Sequence, residues 1–202
     1  FRDGEFVESE LGPIPKGWEI GTLKNIAELT MGQSPKSETY NERGEGLPLL
    51  NGAADFNGTL IQPKKFTTAP KRTCDVGDIV FCIRATIGKV TFADRKYCLG
   101  RGVASLKPKE GLDIYVYHTL QNSLDQLVAQ ARGSVFLNLT KPEINNLKIV
   151  VPPKNISKKF HQLIFPLIQQ KFALDKQNNF LQSIRDTLLP KLMSGEIRVP
   201  LD

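Results

Sequence analysis

The sequence has 202 residues and 40% hydrophobic content, enough for one ordinary core plus an appendage, and no apolar run approaches the roughly 18–20 residues of a membrane span. No secretory leader is read at its start, and three cysteines at spacings unlike any metal motif read as buried or free thiols of a reducing cytoplasm, so membrane, disulfide-scaffold and structural-zinc classes are set aside. The net charge of +6 is uneven, with 5 Lys+Arg against 9 Asp+Glu in residues 1–50, 14 against 8 in 51–150, and 8 against 4 in 151–202, so a polyanion should meet the middle of the chain.

The chain opens on Phe1 and reads as cut from a longer one. Pro13, Pro15 and Gly17 make Leu11–Trp18 an extended lead-in, and Trp18–Ile20 reads as a short strand. Residues 31–46 are rich in Gly, Ser, Pro and charge and read as a long loop. Leu47–Leu50 is a short apolar strand ended by Asn51-Gly52, and Asn57-Gly58 is a second turn. Residues 64–75 form a basic connection. Ile79–Ile83 is the clearest strand, with Thr86–Phe92 as its hairpin partner and Val103–Leu106 as another strand. Leu112, Tyr115, Val116, Leu120, Leu124, Leu127 and Val128 then recur at steps of three and four, which predicts a helix closed by Gly133. Thr140 and Glu143 have capping-box spacing for a short helix. Leu147–Val151 returns to strand and Pro152-Pro153 stops it.

These elements predict an α+β fold. A compact, mostly β domain with short helices spans 1–152, and 153–202 holds one long helix of about 157–194, capped by Ser157 and closed by Gly195. Phe160, Leu167, Leu174, Leu181 and Leu188 fall at strict seven-residue spacing, with Ile184 in a second row. That stripe asks for a partner helix. Pro166 and Pro190 should kink the helix, and two shorter helices folded back on the domain are the alternative.

No catalytic constellation is legible. His118 and His161 have no Cys, His or carboxylate at ligand spacing. Neither a nucleophile elbow nor a phosphate loop occurs. Asp94-Arg-Lys96 only caricatures a nuclease motif. What remains are polar loops between strands: 32–36, 51–55, 84–86, 100–102 and 132–134. Gly and Ser let a backbone approach a polyanion, Arg and Lys contact phosphate or guanine, and Asn or Gln can pair with adenine. The candidate DNA contacts are Gln33, Ser34, Lys36, Asn51, Lys64, Lys65, Arg72, Arg84, Thr86, Lys89, Arg101, Arg132 and Ser134. The helix-pairing candidates are Phe160, Leu167, Leu174, Leu181, Ile184 and Leu188.

Several motifs carry a family resemblance. Residues 11–19 (LGPIPKGWE) resemble the opening of a target-recognition domain of type I restriction–modification specificity subunits. VGDIV at 76–80, followed by RATIGKV at 84–90, resembles the central motif of that domain. GSVF at 133–136 with LKIVVPP at 147–153 resembles its close, and 188–197 resembles the end of the conserved helical region. One departure is that 158–162 reads KKFHQ where the family often opens its helix with Glu-Gln.

The resemblance implies sequence-specific recognition of one half of a split double-stranded DNA target by a chain with no cofactor or catalysis of its own. It further implies an antiparallel coiled coil that spaces two half-sites and docks methyltransferase (M) subunits, which carry S-adenosylmethionine and flip the base, beside a restriction/motor (R) subunit. The second recognition domain would come from the same longer chain or from homodimerisation. Residues 1–7, which resemble the linker after a preceding helix, favour the former. A protein-interaction adaptor using only the helix is the competing expectation.

Overall fold

The computed structural model describes residues 4–84, 86–130 and 138–198, without the side chains of 126–130. In chain order the strands and helices are β1 (Phe6–Val7), β2 (Ile14–Pro15), β3 (Glu19–Thr22), α1 (Leu23–Ile26), β4 (Ala27–Met31), β5 (Tyr40–Asn41), β6 (Leu47–Leu50), β7 (Phe56–Asn57), β8 (Leu60–Ile61), β9 (Phe66–Thr67), β10 (Thr73–Cys74), β11 (Ile79–Cys82), β12 (Val90–Phe92), β13 (Tyr97–Leu99), β14 (Val103–Pro108), α2 (Asp113–Gln130), α3 (Lys141–Asn145), β15 (Lys148–Val151) and α4 (Lys154–Met193). The α+β expectation holds.

The continuous apolar run of β11 has a simple cause. Side chains alternate across a strand, and β11 is central in a four-stranded antiparallel sheet ordered β12-β11-β14-β4. Ile79, Phe81 and Ile83 enter one core with Leu120, Leu124 and Ile149, under α1, α2 and α3. Val80 and Cys82 enter a second core with Leu50, Tyr97 and Leu99. That second core lies against a five-stranded sheet ordered β10-β13-β6-β9-β5, in which β13 and β6 run parallel. A strand buried on both faces has no polar side to show.

Several elements differ from the sequence expectation. Ala27–Met31 is a strand with five residues in register against β14, although Ala, Glu, Leu and Met favour helix. Ladder pairing and burial of Ala27 and Leu29 override that local preference. Tyr97–Leu99 is a fully buried strand between β10 and β6. The loop 31–46 contains β5, and the basic connection 64–75 contains β9 and β10. The hairpin partner of β11 is confined to Val90–Phe92. Thr140 does cap α3, where its N–H and hydroxyl both donate to the Glu143 carboxylate at 2.7 Å. Those bonds hold the Glu143 carboxyl below its ordinary range. Gly133, expected to close α2, lies outside the described residues.

The long helix begins at Lys154 with Pro153 as its N-cap, not at Ser157. Ser157 is instead buried one turn in, its hydroxyl donating back to the Lys154 carbonyl at 3.0 Å. The helix passes through Pro166 and Pro190 as one element, so the two-helix alternative is replaced by a single helix with about 60 Å of rise. Its half-buried row is Phe160, His161, Ile164, Ile168, Phe172, Asp175 and Asn179. Phe160 therefore faces the chain's own α2, its ring 6.0 Å from that of His118.

The rest of the stripe is exposed. Seven residues fall about 20° short of two helical turns, so a strict heptad row drifts round the helix. Leu167 and Leu174 consequently rotate away from the domain and are 59% and 50% exposed, while Leu181, Ile184 and Leu188, at 61%, 37% and 41%, lie in the stretch 180–190 where every residue is exposed.

Candidate nucleic-acid interface

Strand register decides where the polar loops go. In the four-stranded sheet, Cys82 pairs with Val103, Ala104 with Met31, and Phe81 with Val90. The residue following β11 (Arg84 after Ile83), the residues following β4 (Gln33, Ser34) and the residues preceding β12 and β14 (Lys89, Arg101) therefore share one end of that sheet. In the five-stranded sheet, Leu50 pairs with Leu99, Cys98 with Thr73, and Pro48 with Phe66. Asn51, Lys65, Arg72 and Arg101 therefore share one end of the second sheet.

The two ends are the same place. Gly100 N–H donates to Leu50 O at 2.7 Å, Gly32 N–H to Val103 O at 3.0 Å, and Gln33 N–H to Leu99 O at 2.9 Å. Ile83 N–H donates to Gly102 O at 3.0 Å. The Arg101 guanidinium Nε and its backbone N–H both reach the Ser34 hydroxyl at 3.3 Å. This crowding explains three glycines. A Cβ on Gly32 would sit 2.0 Å from Gly100 O, one on Gly100 2.5 Å from Asn51 Oδ1, and one on Gly102 2.2 Å from Asn51 O.

The electrostatics of the two ends differ. Lys64, Lys65, Arg72, Arg84, Lys89 and Arg101 are exposed and form no ion pair among the described residues. The one acid of loop 51–55, Asp55, is occupied: its carboxylate accepts the N–H groups of Asn51 and Gly52 at 2.7 and 3.1 Å. The opposite end of the sheets carries Asp75, Asp78 and Asp94. There Lys96 pairs with Asp75 at 3.3 Å and Arg95 with Asp94 at 3.7 Å. The fragment read as a nuclease caricature is thus used structurally, with Lys96 held by Asp75 and the Asp94 carboxylate accepting the Tyr97 hydroxyl. Burial pushes the thiols of Cys74 and Cys82 up to about 12, so both stay protonated at neutral pH.

Not every candidate joins the cluster. Lys36 is diverted into an ion pair with Glu38 at 3.5 Å. Lys89 lines a separate hollow with Gln121, Lys171 and Asp175. Thr86 is exposed on the loop between β11 and β12. Arg132 and Ser134 lie outside the described residues. One further residue, Asn138, adjoins Arg84. It forms an antiparallel bridge with Arg84, while the neighbouring Leu139 N–H donates to Ile83 O at 3.0 Å. Asn138 lies outside the polar loops singled out in the sequence, and nothing in a single sequence joins it to Arg84.

Comparison with known proteins gives a consistent picture. The family model described as the type I restriction modification DNA specificity domain matches residues 15–180. A Methanocaldococcus jannaschii protein named for the specificity subunit of the type I restriction enzyme MjaX is 35% identical over 98% of this chain and 48% of its own length. The crystal structure of the HsdS subunit from Thermoanaerobacter tengcongensis aligns with a TM-score of 0.68 at 29% identity, over 95% of this chain and 48% of that one. A chain from a structural study of complex assembly and conformational transition of the type I R-M system aligns with a TM-score of 0.70 at 29% identity, over 91% of this chain and 46% of that one. The chain spans about half the length of the relatives it matches.

Proposed function

The chain belongs to the type I restriction modification DNA specificity domain family, and on that premise we propose that it reads one half of a split duplex DNA target within a restriction–modification complex. The observation that carries this reading is the convergence of Gln33, Ser34, Asn51, Lys65, Arg72, Arg84 and Arg101 on one end of both sheets, where the cations form no ion pair among the described residues. Cations at that end clamp phosphates and release counterions. The Gln, Asn and Arg side chains are of the kinds that meet base edges. Methylation and cleavage belong, in this reading, to M and R subunits, with S-adenosylmethionine on the M subunit. The exposed stripe at Leu167, Leu174, Leu181, Ile184 and Leu188 pairs with an antiparallel helix that spaces two recognition domains and helps dock M subunits. A longer chain supplies the second domain, in keeping with relatives about twice this length.

Salt dependence tests the reading and separates it from a helix-only adaptor. DNA binding by the chain assembled with its M partners should fall about 1000-fold or more between about 50 and 200 mM salt, as expected for six or more phosphate contacts. Lys65→Ala and Arg72→Ala should each weaken binding on all sequences and lower the salt slope by about one. Helix pairing through an apolar stripe should change little over that range. Salt-insensitive DNA binding, or variants with the parental slope, would sink the proposal.

A further inference from the structure

The recognition domain and α4 meet along a line of about 33 Å, from Ser157 to Asn179. The first part of that line is mainly apolar, through Phe160, Ile164, Ile168 and Phe172, the last with its ring 6.3 Å from Phe92, and has one polar contact near the helix start, where His161 Nδ1 lies 3.0 Å from Asp113 Oδ1. The far end is polar. The Thr59 hydroxyl donates to Asp175 Oδ2 at 2.5 Å, and Asn57 Nδ2 donates to Asn179 Oδ1 at 2.8 Å. Both donors lie on the β7–β8 hairpin.

This hairpin is itself tied to the core. Thr59 is only 6% exposed, and its carbonyl accepts the hydroxyl of fully buried Thr91 on β12 at 2.6 Å. Thr91 pairs with Val80 of β11, the strand that leads to Arg84. Two hydrogen bonds and one strand pairing thus connect Asp175 on the helix to β11, whose C-terminal end leads into the candidate interface. Beside the pair of bonds the packing opens into a cleft of about 600 Å³ that reaches Gln62, Phe180 and Ser183. Beyond Asn179, helix residues 180–190 are all exposed.

We infer that the β7–β8 hairpin is a polar pin: Thr59–Asp175 and Asn57–Asn179 set the angle and rotation of the recognition domain on α4, and with it the phase of one half-site relative to the other. The inference rests on the reading of the chain as a half-site reader. Apolar burial is non-directional and tolerates sliding or rolling, whereas a hydrogen bond weakens steeply once its distance and angle are lost. The pin is also the contact farthest from the helix start, where it has the longest lever. A shift of about 3.4 Å at the loops equals one base-pair step of duplex, so a small loss of angular control changes which spacing is read.

The test uses the full chain with spin labels at Glu42→Cys and Thr187→Cys, both exposed positions; the native thiols are buried. The double variant Asp175→Ala, Asn57→Ala should broaden the distance distribution by about twofold or more, and Asp175→Asn, which keeps an acceptor for Thr59, should restore the parental width. If the double variant does not fold, Asn57→Ala alone, at an exposed residue, should still broaden it. A parental distribution in whichever of these folds overturns the inference. In the assembled complex, the double variant should methylate a target with one extra spacer base pair within about tenfold of the cognate, and unchanged spacer discrimination would contradict the pin. Should the parental complex methylate no split target, the half-site reading fails, while the label distances still decide the pin.

Discussion

Replacing Arg84 by alanine is expected to lower methylation of the cognate target by about tenfold to a hundredfold, matching the roughly 1–3 kcal/mol carried by one bidentate contact to a base. The expectation follows from how Arg84 is held. It stands just beyond β11, a strand buried on both faces. Its backbone is fixed by the Ile83–Gly102 and Leu139–Ile83 hydrogen bonds and by the bridge to Asn138. The guanidinium is exposed and without an ion pair among the described residues, so contact with a base breaks no ion pair described there and orders only the side chain, the backbone being held already. Arg84→Lys should not rescue, because an ammonium cannot make the two parallel bonds of a guanidinium. The measurement is methyl transfer by the assembled complex to a panel of targets, each altered at one base pair. The variant should lose discrimination at one pair and keep it elsewhere. Parental methylation of the whole panel would remove Arg84 from the interface.

Gly32→Ala is expected to cost about 3 kcal/mol or more, because an extra methyl forced into packed backbone has nowhere to go. The new Cβ would lie 2.0 Å from Gly100 O and 2.4 Å from Val103 O. Both oxygens belong to the turn that joins the two sheets, so neither can swing aside as a flexible side chain would. For a chain of this size that cost lowers the melting temperature by about 6–12 °C. Gly52→Ala is the matched control. Its position is extended, with φ 172°, and a Cβ there meets nothing within 4 Å, so its stability should stay within about 0.5 kcal/mol of the parent. Since Gly32 also leads into Gln33 and Ser34, any folded Gly32→Ala chain should bind DNA less well than Gly52→Ala. Thermal melts of the three proteins check the ordering, and equal melting temperatures would mean that the junction is not the close contact described.

Much of this was legible in the sequence where the cause is local. The apolar run 79–83, the Thr140–Glu143 capping box and the long helix all follow from neighbours within a few residues. The β4 strand was not legible, because Ala-Glu-Leu-Thr-Met favours helix until β14 pairs with it. The orientation of α4 was half legible. The heptad row predicts an exposed stripe, but Phe160 at its head drifts onto the chain's own domain. The loops were found one by one as polar stretches. Their meeting at one end depends on register between residues as distant as Gly32 and Val103, and a single sequence holds no signal for that.

Cross-linking tests directly whether the Gly100–Gly102 end of the two sheets faces DNA. A photo-cross-linking residue is placed in the assembled complex at Gln33 or Asn51, and in separate proteins at Asp75 or Asp94 on the opposite end, each on the cognate duplex. Cross-links to DNA from Gln33 and Asn51, with only background from Asp75 and Asp94, are the predicted result. Cross-links from the Asp75 and Asp94 positions, with none from Gln33 and Asn51, would contradict it.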